Sequence, residues 1–454
     1  MEFGIFTNMY HPKHWRDGKV RTEHETLRNE LEYIALADRV GFKYSWSAEH
    51  HFLDEYSHLS DSETFMAYAM AKTERIHVGS AIFNITPPVN HPARVAERVA
   101  MLDHLGEGRF EFGTGRGSSS TEVYGFRIDS MDKTRELYDE ALPQIVRMWA
   151  EDAYSYDGKS FAMPPRRVLP KPYTDPHPPL WVAAGSPGTF EKAARLGIGI
   201  LCFTLGTPDT LAPLIEVYKK NIEKAEPVGG YVNNNIMVTG DMLCLQDGDE
   251  ARRYFAANRS NYHTGLVFKY LDSFPRPDGF PVWPDLPPDP TVEELKAGSN
   301  AAASCVGDPD EISRTIQRFI DVGADQLTFS STVCDYDMAT LRESYETFGK
   351  HVIPASTPTP CTRRPASERR RSERRTAPAR RPCAWGRWRP PRCGPTSPAC
   401  STPSKPSAPS PTWPPRCSRA PSPPSGRRRR LCATETPSSG CSPAAGSAAG
   451  DRTG

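Results

Sequence analysis

The sequence predicts an α/β fold, a closed (β/α)8 TIM barrel, and three observations predict it. Eight short apolar runs alternate with stretches of helical periodicity between Met1 and about Ala355. Such alternation calls for parallel strands joined by crossover helices, and at a count of eight a closed barrel is favoured over an open sheet. Clusters carrying His, Arg and Ser stand at the ends of three of these strands, where barrels of this kind place their chemistry.

The elements follow in order. Residues 3–6 read as a first buried strand, and 23–40 as a helix with Leu27, Leu31, Ile34, Ala35 and Ala37 at roughly helical spacing, closed by Gly41. Residues 42–46 form the second strand, 62–72 a helix, and 76–82 the third strand. A helix over 94–105 leads to the fourth strand at 109–113, and a long helix spans 132–150. Strands at 180–184, 199–203, 235–245 and 326–329 complete the eight, with helices at 189–196, 208–225, 249–258 and 309–322 between or beside them. A helix over 338–352 closes the domain. The rhythm breaks at an insertion near residues 262–299, rich in Pro, Gly and aromatic residues, which reads equally as a lid or interface and as a variable surface loop.

Composition divides the 454 residues into two chemically different pieces. Residues 356–454 hold 19 Arg and one Lys against four acids, a net charge of +16, which leaves −15 for residues 1–355 out of a whole-chain +1. The acidic body argues against nucleic acid as its partner. Its cysteines, Cys202, Cys244, Cys305 and Cys334, are widely spaced and match neither a metal-ligand pattern nor a disulfide framework. No apolar run reaches transmembrane length, and Met1–Tyr10 leads directly into a strand rather than reading as a signal peptide, so a cytoplasmic protein is expected. The tail, 356–454, reads as a disordered Pro/Arg/Ser-rich segment. It is either a basic arm for acidic surfaces or nucleic acid, or the product of a shifted reading frame in GC-rich coding DNA, which yields the same vocabulary.

Three motifs carry chemistry. In Trp46-Ser47-Ala48-Glu49-His50-His51-Phe52, two adjacent histidines leave a strand and must point in opposite directions, so they do not read as a metal pair. An imidazole at a barrel mouth can instead donate a hydrogen bond or exchange a proton near neutral pH; a structural histidine is the competing reading, and Glu49 beside the pair favours function. Gly113-Thr114-Gly115-Arg116-Gly117-Ser118 lets main-chain N–H groups and one guanidinium approach an anion, although glycine-rich turns are common for backbone reasons alone. Gly185-Ser186-Pro187-Gly188-Thr189 opens a helix directly after a strand. Ser186 is a natural N-cap there, and the helix N-terminus favours a phosphate.

These segments, together with Met1-Glu2-Phe3-Gly4-Ile5-Phe6, Val78-Gly79-Ser80-Ala81 with His91-Pro92, Leu102-Asp103-His104-Leu105-Gly106-Glu107-Gly108-Arg109-Phe110 and Trp181-Val182-Ala183-Ala184-Gly185-Ser186, occur in one order. In that order the body resembles the bacterial luciferase-like family of flavin-dependent monooxygenases and related deazaflavin enzymes. The resemblance spans residues 1–355, and the tail has no counterpart. It implies that His50 faces the flavin ring, with Glu49 beside it as a second catalytic candidate. It also implies that Arg116, Ser186 and Thr189 hold the FMN phosphate, with Gly115, Gly117, Ser118 and Gly185 lining the cofactor. A non-prolyl cis peptide would join Ala81 and Ile82 beneath the ring, and Glu122 matches an acid of the flavin neighbourhood. The luciferases themselves carry a reactive cysteine where this chain has Gly115 and an acid where it has Gly185. What carries over is therefore oxygenase chemistry, not light emission from a long-chain aldehyde.

The implied activity is a monooxygenase using reduced FMN and O2 through a C4a-hydroperoxyflavin. An NAD(P)H-dependent flavin reductase would supply the reduced cofactor, and a homodimer would be the assembly. The rival within the family is an F420-dependent oxidoreductase that transfers hydride without O2. Rivals of another class are a non-catalytic flavin-binding protein and, through the tail, a nucleic-acid binder.

Overall fold

The computed structural model describes residues 1–203, 207–258, 260, 262, 266–272, 279 and 304–356. The expected tail beyond Ser356 and the greater part of the insertion lie outside these residues. Among them no helix is long and apolar enough to cross a membrane.

Among the described residues twelve strands run in chain order as β1 (Glu2–Thr7), β2 (Tyr44–Ser47), β3 (His77–Ser80), β4 (Phe83–Asn84), β5 (Phe110–Gly115), β6 (Tyr154–Asp157), β7 (Ala162–Arg166), β8 (Leu180–Ala183), β9 (Gly199–Cys202), β10 (Ile236–Cys244), β11 (Ser304–Gly307) and β12 (Gln326–Phe329). Eight of them close a parallel ring, β1-β2-β3-β5-β8-β9-β10-β12, sealed by the β1–β12 pairing. Every expected strand is present, and 326–329 is matched residue for residue.

Alternation along each strand sorts the side chains. Phe6, Tyr44, Trp46, Ala48, Trp181, Leu201 and Met237 pack on one another inside the barrel, with the Trp46 and Trp181 rings edge to face at 5.1 Å. Their neighbours in sequence, such as Ile5, Val78, Phe112, Ile200, Val238 and Leu327, turn outward into the layer beneath the helices. The helices take the expected places, and the first long one, Glu23–Val40, shows why. Thr22 and Glu25 form a reciprocal capping box at its start, and Gly41 at φ 101° ends it.

Four features depart from the sequence reading. The third strand stops at Ser80 rather than at 82, because the Ala81–Ile82 peptide is cis and the chain resumes as β4 beside Thr114 and Gly115. An antiparallel hairpin, β6–β7, precedes β8; its second strand holds Pro164 and Pro165, which hide a strand from any reading of periodicity. Short β11 extends the sheet beside Asp241–Cys244. Three short helices among the described residues, Lys13–Asp17, Ser120–Gly125 and Val267–Tyr270, have no counterpart in the sequence reading.

The floor of the barrel, at the N-terminal ends of the strands, holds three buried acids whose carboxylate oxygens are all engaged. Asp38 accepts from the main-chain N–H groups of Glu74, Arg75 and Ile76 at 2.7–3.0 Å. Asp103 receives both the N–H and the hydroxyl of Thr174. Glu111 contacts His77 Nδ1 at 2.7 Å through one oxygen and accepts the Trp181 indole N–H at 3.0 Å through the other.

Candidate active site

The opposite end of the barrel gathers the expected residues. Past β2 the chain places Ala48 inside the barrel, then Glu49, His50 and His51 at its rim. The main-chain N–H of His50 donates to Leu59, which pins the turn. The two imidazoles part as strand geometry requires. His50 Nδ1 lies 3.2 Å from Glu122 Oε1, whereas His51 Nε2 lies 3.2 Å from Glu49 Oε1. His50 also meets the edge of Tyr56 at 5.2 Å, and His51 meets Phe126 at 4.9 Å.

Glu49 is buried inside this network rather than open to the mouth. Its Oε1 also accepts from Asn90 Nδ2 at 3.2 Å, and Asn90 in turn donates to the Asn84 carbonyl and accepts from Arg98. Burial raises the Glu49 carboxyl above its usual range, offset in part by the hydrogen bond from His51. Burial works against the charged His51 ring, but the hydrogen bond and negative charge of Glu49, with Glu122 further off, more than compensate and raise it.

The β3 and β5 ends meet face to face. Gly115, the last residue of β5, has no side chain because Ile82 of the cis peptide fills that space: a β-carbon at 115 would overlap Ile82 Cγ1 and Cδ1. Gly117, at φ 82°, turns the chain past Asn84. Half-buried Ser118 follows, then the helix Ser120–Gly125 that carries Glu122.

Arg116 turns toward the start of the helix Lys133–Ala150. Its Nη1 donates to the Met131 carbonyl at 3.1 Å and to Thr134 Oγ1 at 2.7 Å. Burial, with Arg135 alongside, pushes its pKa below the ordinary arginine range; the guanidinium keeps its charge, and an anion beside it would offset the penalty. Lys192 of the helix Pro187–Arg195 forms an ion pair with Asp139 of the same long helix.

At the start of Pro187–Arg195, Ser186 occupies the N-cap position without capping. Its hydroxyl pairs with that of Thr189 at 3.0 Å; Ser186 is exposed and Thr189 half-buried. Among the described residues, apart from the immediate chain neighbours and the helix's own backbone, no atom lies within 4 Å of where a β-carbon would stand on Gly185 or Gly188. A helix N-terminus with its main-chain N–H groups and two neighbouring hydroxyls is an arrangement that suits a phosphate. The residues present therefore fit the phosphate of a flavin or deazaflavin.

Sequence reading did not foresee Asn8, Tyr56, Asn90 or Tyr262 as members of this mouth. Tyr262 opens the insertion, stacks on Tyr56 at 4.6 Å and accepts from Asn8 Nδ2 at 2.6 Å. Ten residues on, Asp272 accepts from the Ser120 N–H at 2.5 Å. The described start of the insertion thus runs from the β1 and β2 ends to the loop after β5. Asn90 stood in plain view just ahead of His91, the N-cap of the next helix, and that position was its one available signal.

A family model described as luciferase-like monooxygenase matches residues 1–326. The chain belongs to that family. This luciferase-like chain is 27% identical over 296 residues to limonene 1,2-monooxygenase of Rhodococcus erythropolis, across 64% of the chain and 71% of that relative. The fold is shared with the oxygenating constituent of 3,6-diketocamphane monooxygenase of Pseudomonas putida, solved in complex with FMN. That likeness has a TM-score of 0.62 at 21% identity and covers 78% of this chain and 98% of that one. It is shared also with an F420-dependent secondary alcohol dehydrogenase bound to an F420–acetone adduct, with a TM-score of 0.58 at 19% identity, over 78% of this chain and 99% of that one.

Proposed function

We propose that this luciferase-like chain is the oxygenase component of a two-component monooxygenase, taking reduced FMN from a separate NAD(P)H-dependent reductase and acting as a homodimer. The observation that carries the reading is the pairing of two features on one barrel mouth: an open phosphate corner at Gly185–Thr189 and a histidine, His50, held by Glu122 across the rim. The corner and Arg116 would hold the phosphate, and Ala81, Ile82 and Gly115 would support the ring. His50 would face it with an imidazole able to hold or pass a proton near neutral pH. Reduced FMN bound there supplies the electrons that activate O2, one oxygen atom going to an organic substrate and the other leaving as water. The protein's share is to orient the partners, keep water out and manage the proton.

Hydride transfer by F420 without O2 is the second reading, favoured by the likeness to the F420-dependent dehydrogenase. Mixing purified protein with reduced FMN or with reduced F420, while following cofactor oxidation and oxygen uptake, separates the two. Binding and oxygen-consuming oxidation of reduced FMN are expected; binding of F420 alone, with no oxygen consumed, would overturn the monooxygenase reading.

A further inference from the structure

The contact between Glu122 and His50 carries a more specific assignment, which rests on the reading of His50 as the residue facing the cofactor. Glu122 Oε1 accepts the main-chain N–H of His51 at 2.8 Å and lies 3.2 Å from His50 Nδ1. An amide N–H can only donate, so this oxygen acts as an acceptor, and the imidazole nitrogen beside it is matched when it carries the proton. That fixes the lone pair of a neutral ring on Nε2. Among the described residues Nε2 has no hydrogen-bond partner, and it is not among the buried atoms left without one, so it opens on the mouth. Tyr56 holds the ring edge at 5.2 Å, which leaves Glu122 as its one polar anchor among the described residues.

Glu122 is itself built in. It is 4% exposed, its carbonyl accepts from the Phe126 N–H, and the start of its helix is tied to Asp272. Its second oxygen, Oε2, is buried with no hydrogen-bond partner among the described residues.

We propose that Glu122 is a positioning residue acting through His50: it holds the imidazole as the Nδ1–H tautomer, so that Nε2 faces the reaction chamber as a proton acceptor, and it does not bind the flavin itself. This sharpens the expectation from family resemblance, which placed Glu122 among the cofactor contacts. A carboxylate that orients a working imidazole through its far nitrogen recurs in catalytic and metal-binding histidines.

The test reads the tautomer directly. In flavin-free protein labelled with 15N-histidine, the ring signals absent from His50→Ala belong to His50 and should show a protonated Nδ1 and an unprotonated Nε2. Glu122→Gln, which offers an amide donor or acceptor in the same volume, should shift them toward the Nε2–H form or a mixture. With reduced FMN loaded, Glu122→Gln should lower turnover per bound flavin on the order of 10–100-fold while leaving flavin affinity within about threefold, and should add nothing to His50→Ala. Glu122→Asp, with its charge on a shorter arm, should recover part of the loss. A wild-type His50 protonated at Nε2 would overturn the proposal. So would a Glu122→Gln protein that binds FMN roughly tenfold more weakly but turns over normally once loaded. The tautomer needs neither flavin nor substrate, so it stands or falls even if FMN proves to be the wrong cofactor.

Discussion

The buried acids at the two ends of the barrel behave differently. At the floor, Asp38, Asp103 and Glu111 have both carboxylate oxygens engaged by main-chain N–H groups, an indole, a hydroxyl or an imidazole. Toward the opposite end, Glu49 and Glu122 at the mouth and Glu30 on the helix Glu23–Val40, whose Oε1 accepts the Met9 N–H, are just as buried, yet in each Oε1 is engaged and Oε2 has no hydrogen-bond partner among the described residues. Leaving such an oxygen unpaired in a dry site costs free energy, on the order of 1–3 kcal/mol. A fold that satisfies its acids fully at one end and not at the other is what would be expected of a barrel that keeps its stability at the N-terminal ends of its strands and its chemistry at the C-terminal ends.

Variants at each end can break or sharpen that contrast. The largest effect is expected at the mouth: His50→Ala should cut turnover per bound flavin roughly 10²–10⁴-fold with little change in thermal midpoint, as seen by single-turnover kinetics and calorimetry. Turnover unchanged in that variant would remove the mouth's claim to function. Next is the floor, where Glu111→Ala strands the Trp181 indole and His77 and should cost about 3–5 kcal/mol in denaturant unfolding. Turnover per folded molecule should hold in that variant; a loss of specific activity at intact stability would reverse the contrast.

A smaller effect is expected at Glu30, whose carboxyl burial raises to about 7. Its native form holds a proton that the unfolded chain has released, so the associated stability is present at low pH and lost as pH rises through about 7. Glu30→Gln, which cannot ionise, should therefore gain about 2–3 kcal/mol on wild type between about pH 5 and pH 8. Parallel stability curves for the two proteins would show the unused oxygen to be of no consequence. The smallest effect is at the phosphate corner. Ser186→Ala removes one hydroxyl that does not cap its helix, and should weaken flavin binding by about 1 kcal/mol, several-fold in Kd by titration, with stability unchanged. A stability loss instead would return Ser186 to a structural role.

Much of this was legible in the sequence. Helices Glu23–Val40 and Ser62–Lys72 and strand Gln326–Phe329 match their expected bounds, because apolar spacing and terminal residues such as Gly41 encode them locally. His50, Arg116 and Ser186 could be nominated because each ends a strand. The cis bond came from family resemblance alone, since nothing in Ala81-Ile82 signals it. Partnerships were beyond reach. That Glu122 meets His50, 72 positions away, or that Arg116 rests on the Met131 carbonyl, depends on how the loops after β2 and β5 lie against each other. The β6–β7 hairpin was hidden for the opposite reason: its prolines argue locally against the strand that tertiary pairing makes.

The fit of Gly115 against Ile82 has a consequence for substitution. Any side chain placed at 115 by a single exchange would bring its β-carbon onto the isoleucine side chain, which must then shift to admit it. A smaller residue at 82 would remove that overlap. The two positions are therefore coupled, and a library that varies both together should tolerate more residues at 115 than one that varies it alone.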